Sequence, residues 1–279
     1  MAISVGTASR ARVPRATLVA AVLLAAALIT WIVTIERMRG MDAGPGTQLG
    51  ALGWFLGLWV TMMAAMMFPS VAPMTVVVSR VAGERGRAGA SALASTTAFI
   101  AGYLAVWTAY GVAVYGVYRA VAAADPAILA WDRHGPLVAG AAVAAAGAYE
   151  LTPLKRVCLR HCRSPLSFVL HRWRRGTAGG FVMGLEHGAW CLGCCVGLML
   201  VLVVLGVMSI TWMAVVAAII FAEKVLPGGQ RMTIVVAACL IGTGIWIASA
   251  PDSVPGLTNP AGMEMPMHPA MDMSRPMAG

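Results

Sequence analysis

Seven long apolar stretches, separated by short polar segments, constrain this chain more than any other feature. They cover residues 17–35, 49–78, 90–122, 136–153, 177–207, 209–226 and 232–250. A bilayer core about 30 Å thick is crossed by about 20 apolar residues in a helix. Within lipid, only a helix or a closed barrel pairs every backbone donor and acceptor. The runs are too long for strands, so the sequence predicts an all-α polytopic membrane helix bundle of about seven transmembrane helices, and not a soluble enzyme. Composition agrees: 59% of the 279 residues are hydrophobic and 11% are charged, against about 25% charged in soluble domains.

The formal net charge of +9 does not indicate nucleic acid, because nearly all the basic residues lie between apolar runs, where they orient helices. No aromatic and basic residues interleave into a base-stacking platform. Arg10, Arg12 and Arg15 precede the first run, and Arg80, Arg85 and Arg87 outweigh Glu84 after the second. Between the fourth and fifth runs stand Lys155, Arg156, Arg160, Arg163, Arg172, Arg174 and Arg175, which the positive-inside rule places in the cytoplasm. The expected order is therefore a cytoplasmic N-terminal segment (1–16), a transmembrane domain (17–250) holding a cytoplasmic basic loop (154–176), and an exterior tail (251–279). The first run is long for a signal peptide and lacks a clear small-x-small site, so it is expected to stay as a helix. The protein belongs by this reading in a bacterial plasma (inner) membrane, with the lipid bilayer as its first partner; a homo-oligomer is compatible with it.

The fifth run concentrates soft ligands: Met183, Glu186, His187, Cys191, Cys194, Cys195 and Met199. At about 100° per residue, Cys191 lies about 40° from His187 and Cys194 about 20° to its other side, so one imidazole and two sulfurs share a narrow face. Thiolate, thioether and imidazole select Cu(I) first and zinc second, over magnesium or calcium. Glu186 is an ionisable residue inside the run and functional unless a partner neutralises it. Any one Cys here is an ordinary buried residue; three in five residues beside His187 point to a metal or redox site. Cys191 and Cys194 also form a C-x-x-C, the pattern of a dithiol redox pair. Gly180, Gly184 and Gly188 form overlapping G-x-x-x-G units, which predict tight packing inside the bundle.

The second run carries Met62, Met63, Met66 and Met67 ahead of Pro69 and Pro73. Pro69 is expected to kink the helix and free a carbonyl, giving either adaptable packing or a thioether path for Cu(I). In the basic loop, Cys158, His161 and Cys162 form a second soft group, with the two thiols on one face if locally helical. Phe168 to Arg175 reads as an interfacial segment on anionic lipid. The tail holds Met263, Met265, Met267, His268, Met271 and Met273, a composition that excludes a packed core and suits exterior capture of copper. Glu223 and Lys224 read as a neutralising pair or helix-end anchor. No H-E-x-x-H or Walker loop is present, so no hydrolase or phosphotransfer signature is visible.

The chain resembles a bacterial family of predicted metal-binding integral membrane proteins, the domain of unknown function 2182, over roughly residues 49–250. The resemblance is carried by Met62-Met-Ala-Ala-Met-Met67-Phe-Pro69, Tyr149-Glu-Leu-Thr-Pro-Leu-Lys155, Cys158-Leu-Arg-His-Cys162-Arg-Ser-Pro165, Cys191-Leu-Gly-Cys-Cys195 and Glu223-Lys224-x-Leu-Pro227. Many relatives carry Trp where this chain has Val196. The resemblance implies metal handling in the membrane, and some members are described as copper chaperones. The expected function is binding of Cu(I) for copper transport, delivery or homeostasis, with a copper-accepting or copper-donating protein as a possible partner. Two other classes fit the sequence: a membrane thiol–disulfide redox protein, and a structural subunit of a membrane complex.

Overall fold

Each of the seven apolar stretches is helical in the computed structural model, which describes residues 15–39, 49–85, 90–124, 133–206 and 209–251. The elements are α1 (Arg15–Met38), α2 (Leu52–Arg85), α3 (Ala90–Ala124), α4 (Gly135–Glu150), α5 (Pro153–Arg163), α6 (Pro165–Arg172), α7 (Gly176–Gly206), α8 (Ile210–Val225) and α9 (Gly229–Ser249). No strand occurs among the described residues. Five helices are individually long and apolar enough to cross a membrane, and α4 with α5, bent by 62°, makes a sixth candidate. That is one fewer than seven. The seventh apolar stretch is α8, whose 16 residues reach about 24 Å at 1.5 Å per residue, so length alone does not establish it as a span.

α2 and α7 form the centre, with 72% and 56% of their most apolar windows buried, whereas α1 has 17%. The outward faces of α1 and α9 expose Leu18, Val22, Ile29, Ile234, Val235 and Ile245, apolar side chains that lipid, not water, accommodates. α2 runs unbroken through Pro69 and Pro73, although each proline withholds the amide that the carbonyl four residues earlier would receive.

The basic segment expected to be a loop is instead two helices folded onto the bundle. Proline sets both boundaries. Thr152 is held extended at φ −70, ψ 151 ahead of Pro153, ends the α4 direction, and caps α5 by accepting from the Lys155 amide at 3.2 Å. Pro165 opens the first turn of α6, there without a side-chain cap from Ser164. Along α5, Lys155, Cys158 and Leu159 are buried and Cys162 half-buried, while Arg156 and Arg160 are exposed. The spacing i, i+3, i+4, i+7 is one helical face, and this face packs on α7. Phe168 and Val169 of α6 are also buried, so that segment is part of the core and not only an interfacial strip.

The glycine stripe of α7 lies against α3. A Cβ on Gly184 would overlap the Phe99 carbonyl oxygen, one on Gly180 that of Ser95, and one on Gly188 would stand 3.0 Å from Val106. Close backbone approach of this kind is what small residues permit. Gly184→Leu is expected to cost the detergent-solubilised protein well over the about 1–3 kcal/mol typical of core overpacking, since the obstacle is backbone, and so to lower its unfolding midpoint. Gly242→Ala, which meets open space, should leave the midpoint within error in the same melt.

Candidate metal-handling site

Folding α5 onto α7 brings the two thiol groups of the sequence together. Cys162 Sγ lies 3.6 Å from Cys194 Sγ, and Cys194 Sγ lies 3.5 Å from Cys195 Sγ. Cys158 closes on the same turn of α7: a Cβ on Gly193 would stand 2.7 Å from its sulfur, so glycine lets Cys158 sit there without a shift. The Tyr149 hydroxyl donates to the Gly193 carbonyl, tying α4 to this turn. Cys158, Cys191, Cys194 and Cys195 are buried and Cys162 is half-buried; all are free thiols.

Cys191 has a different environment. Lys224 Nζ donates to its sulfur at 2.9 Å, and the Tyr103 hydroxyl lies 3.0 Å away. An ammonium and a phenol aimed at one sulfur form the donor set that a thiolate accepts. Cys194 donates to the Cys191 carbonyl at 3.2 Å. One turn earlier, His187 is buried between Tyr103, stacked at 5.9 Å, and Phe168, edge-on at 5.4 Å. Its Nδ1 has no hydrogen-bond partner among the described residues.

Beside the thiols lies a buried charge group. Lys155 Nζ contacts Glu150 at 3.0 and 2.7 Å and Glu223 at 2.8 Å, with all three side chains at 3% exposure or less. The residues come from α5, the end of α4 and the end of α8. Arg163 adds a clamp: it donates to the Glu223 carbonyl and, at 2.7 Å, to that of Leu226. These carbonyls lie at the C-terminal end of α8, where a cation is favoured. Glu223 and Lys224 therefore do not pair with each other. Successive residues of one helix point about 100° apart, which sends Glu223 to Lys155 and Lys224 to Cys191.

Other sequence candidates fall elsewhere. Glu186 is not deep in the bundle: it is partly exposed and pairs with Arg174 at 3.2 Å and Arg172 at 4.0 Å. His161 stacks on Trp190 at 4.1 Å, and its Nδ1 meets the Val157 carbonyl. Met183 accepts from the Arg174 amide at 3.3 Å. Met62, Met63, Met66 and Met67 are all buried in the same apolar core as the α7 cysteines. Their helix, however, packs mainly on α1, α3, α8 and α6. Met263, Met265, Met267, His268, Met271 and Met273 lie outside the described residues. No three His, Cys, Asp or Glu side chains among the described residues already stand as a finished metal site. What the fold supplies is a line of touching sulfurs.

Sequence reasoning missed Tyr103, Lys224 and the Glu150–Lys155–Glu223 group. The legible signal was charge: Glu150, Lys155, Glu223 and Lys224 border apolar runs, and buried ions must find partners.

Among the described residues the fold is an all-helical bundle with five or six helices long and apolar enough to span a membrane, and it brings the free thiols of α5 and α7 together. The family described as copper chaperone, PpoB2, matches residues 56–247, most of the chain and every cysteine motif above. The chain belongs to this family. No curated protein and no solved structure matches it.

Lys155→Met is expected to destabilise the protein by about 3–5 kcal/mol, because it leaves two carboxylates buried without their cation. Adding Glu150→Gln and Glu223→Gln should restore much of the loss in the same detergent unfolding measurement; a triple variant no better than the single one would contradict this account of the group.

Proposed function

We propose that the protein is a multi-pass protein of the bacterial plasma membrane that binds Cu(I) and passes it on, as a chaperone or transporter, through Cys162, Cys194, Cys195 and Cys191. The observation that carries this reading is the run of sulfurs at 3.6 and 3.5 Å across α5 and α7. A soft ion bonded to thiolates at about 2.3 Å holds them within about 3.8–4.6 Å of each other, so the sulfurs need open by only about an ångström or less. His187, with a free Nδ1 one turn before Cys191, is a further ligand; Met62, Met63, Met66 and Met67 provide the thioether side of the same core. Membership in a copper chaperone family supports copper as the cargo. The basic helices α5 and α6 belong on the cytoplasmic side by the positive-inside rule, with the N-terminus inside and, with α8 counted as a seventh crossing, the Met-rich tail outside.

One residue's sulfur moves the ion only if another sulfur is already within bonding reach, and Cys194 has two such neighbours. Soft-metal transfer proceeds by ligand exchange, so contiguity of donors matters more than a closed cage. An open set of thiols fits exchange, whereas a structural zinc site is four-coordinate and closed.

The contact between Cys162 and Cys194 also favours a second reading, thiol–disulfide exchange between α5 and α7. Copper content and copper K-edge absorption of the detergent-purified protein separate the two. Sulfur-coordinated Cu(I) is expected in the wild type and is expected to be lost when Cys191, Cys194 and Cys195 are all changed to Ser. Equal, negligible copper in both, together with a Cys162–Cys194 disulfide that forms and reduces reversibly, would sink the copper reading.

A further inference from the structure

Two adjoining cavities open among α5, α6 and the start of α9. The polar lining of the first, of about 410 Å³, is Arg160, Arg172, His161 and His171 with the hydroxyls of Ser164 and Ser167. The second, of about 440 Å³, is lined by Arg160, Arg163, Ser164, Gly228, Gly229 and Arg231. Arg160 and Ser164 belong to both, so the cavities share a wall. Neither is lined by a carboxylate, a thiol or a thioether; Glu186, 4.0 Å from Arg172, is engaged by Arg174 at 3.2 Å. Arg160 and Arg231 are exposed and make no side-chain ion pair or hydrogen bond among the described residues. Arg163 gives two N–H groups to the Glu223 and Leu226 carbonyls and has others to spare. No side chain caps α9 at Gly228, so the positive end of that helix is left to the second cavity. Cations gathered in this way are at rest only around an anion.

The surroundings say what else the guest carries. Arg231 opens the apolar span Arg231–Ser249, and Arg172 shortly precedes the span Gly176–Leu205, which sets both cavities at the depth of a bilayer's headgroups. One turn into α9, on the face that Arg231 shares by the i, i+3 and i+4 rule, Ile234 and Val235 are each 62% exposed. On α6, Leu166 and Leu170 stand exposed one turn apart on either side of Ser167. A soluble phosphate would leave these side chains uncovered. A guest with phosphate at one end and hydrocarbon at the other satisfies the arginines and the apolar faces together.

We propose that the two cavities form the headgroup site of an anionic phospholipid with two phosphates, of which cardiolipin is the type. One phosphate lies with Arg160 and Arg172, the other with Arg163, Arg231 and the first turn of α9, and Arg160 stands between them. Guanidinium suits this task because its planar fork meets two phosphate oxygens at once. The acyl chains run along the exposed face of α9 at Ile234 and Val235. The lipid then ties α5, α6 and α9 together from outside, while Cys162 of α5 meets Cys194 of α7 on the inside. The site stands whether or not those thiols carry copper.

The test uses the full chain, stripped of lipid in a neutral detergent, with cardiolipin, phosphatidylglycerol, phosphatidylcholine or inorganic phosphate added at equal phosphate concentration. Native mass spectrometry counts bound lipid, and a thermal melt follows the unfolding midpoint. One cardiolipin per chain and a raised midpoint are expected, with no rise from phosphatidylcholine. The pair Arg160→Gln and Arg231→Gln is expected to weaken cardiolipin binding about thirtyfold, at about fivefold for each arginine near an anionic headgroup. Both side chains are exposed, so the lipid-free midpoint should not move, and the bound-lipid count reads the site even if it does. Arg156→Gln, exposed on α5 but outside both cavities, should bind as the wild type does. Equal cardiolipin affinity in the wild type and the Arg160/Arg231 variant would overturn the site. Phosphatidylglycerol bound as tightly as cardiolipin would overturn the assignment of two phosphates, and a full rise in midpoint from inorganic phosphate alone would overturn a lipid as the occupant.

Discussion

The ion group of Lys155 with Glu150 and Glu223 is the contact on which the rest of the site depends. Burying an ammonium and two carboxylates costs several kcal/mol per ion before their mutual attraction is counted. That cost is met only if the three partners arrive together, so the group acts as a register lock. It fixes the end of α4, the first turn of α5 and the last turn of α8 at one point. With Lys155 pinned, the helical repeat places Cys158 and Cys162 one and two turns on, against α7. With Glu223 pinned, the same repeat swings Lys224 toward Cys191. Arg163 completes the lock from the far end of α5.

Two other constraints finish the geometry. Gly193 leaves the gap into which Cys158 fits, and the stripe at Gly180, Gly184 and Gly188 seats α7 directly on the backbone of α3. That second contact carries Tyr103 to Cys191 and to the face of His187. The thiol face of α7 is thus held from three sides by elements that share no sequence neighbourhood: α3, α5 and α8.

Much of this was legible in the chain before any coordinates. The seven apolar runs are seven helices, and the glycine stripe on the fifth run marks its close packing, because both are local patterns. The seventh run became α8, 16 residues long, and hydropathy alone does not register where such a helix stops. The basic segment 154–176 was read as a loop, since seven cations dominate its hydropathy. Yet Lys155, Cys158, Leu159 and Cys162 carry a helical spacing that an amphipathic test recognises. Glu186 was misplaced for a related reason: its neighbours in sequence are apolar, while Arg172 and Arg174 reach it only after the turn at Trp173. The partnerships of Lys224 and Glu223 were beyond sequence reasoning, because adjacent residues on a helix face different neighbours and only the fold says which.

Charge alone does not select a cargo for this interior. Around the thiols, Lys155 is offset by two carboxylates, and Lys224 Nζ is aimed at the Cys191 sulfur. Each thiol that binds a metal gives up its proton, so the charge that an ion brings is offset by the protons that leave. What the fold discriminates by is donor chemistry: sulfurs in contact across α5 and α7 suit a soft ion over a hard one that prefers oxygen.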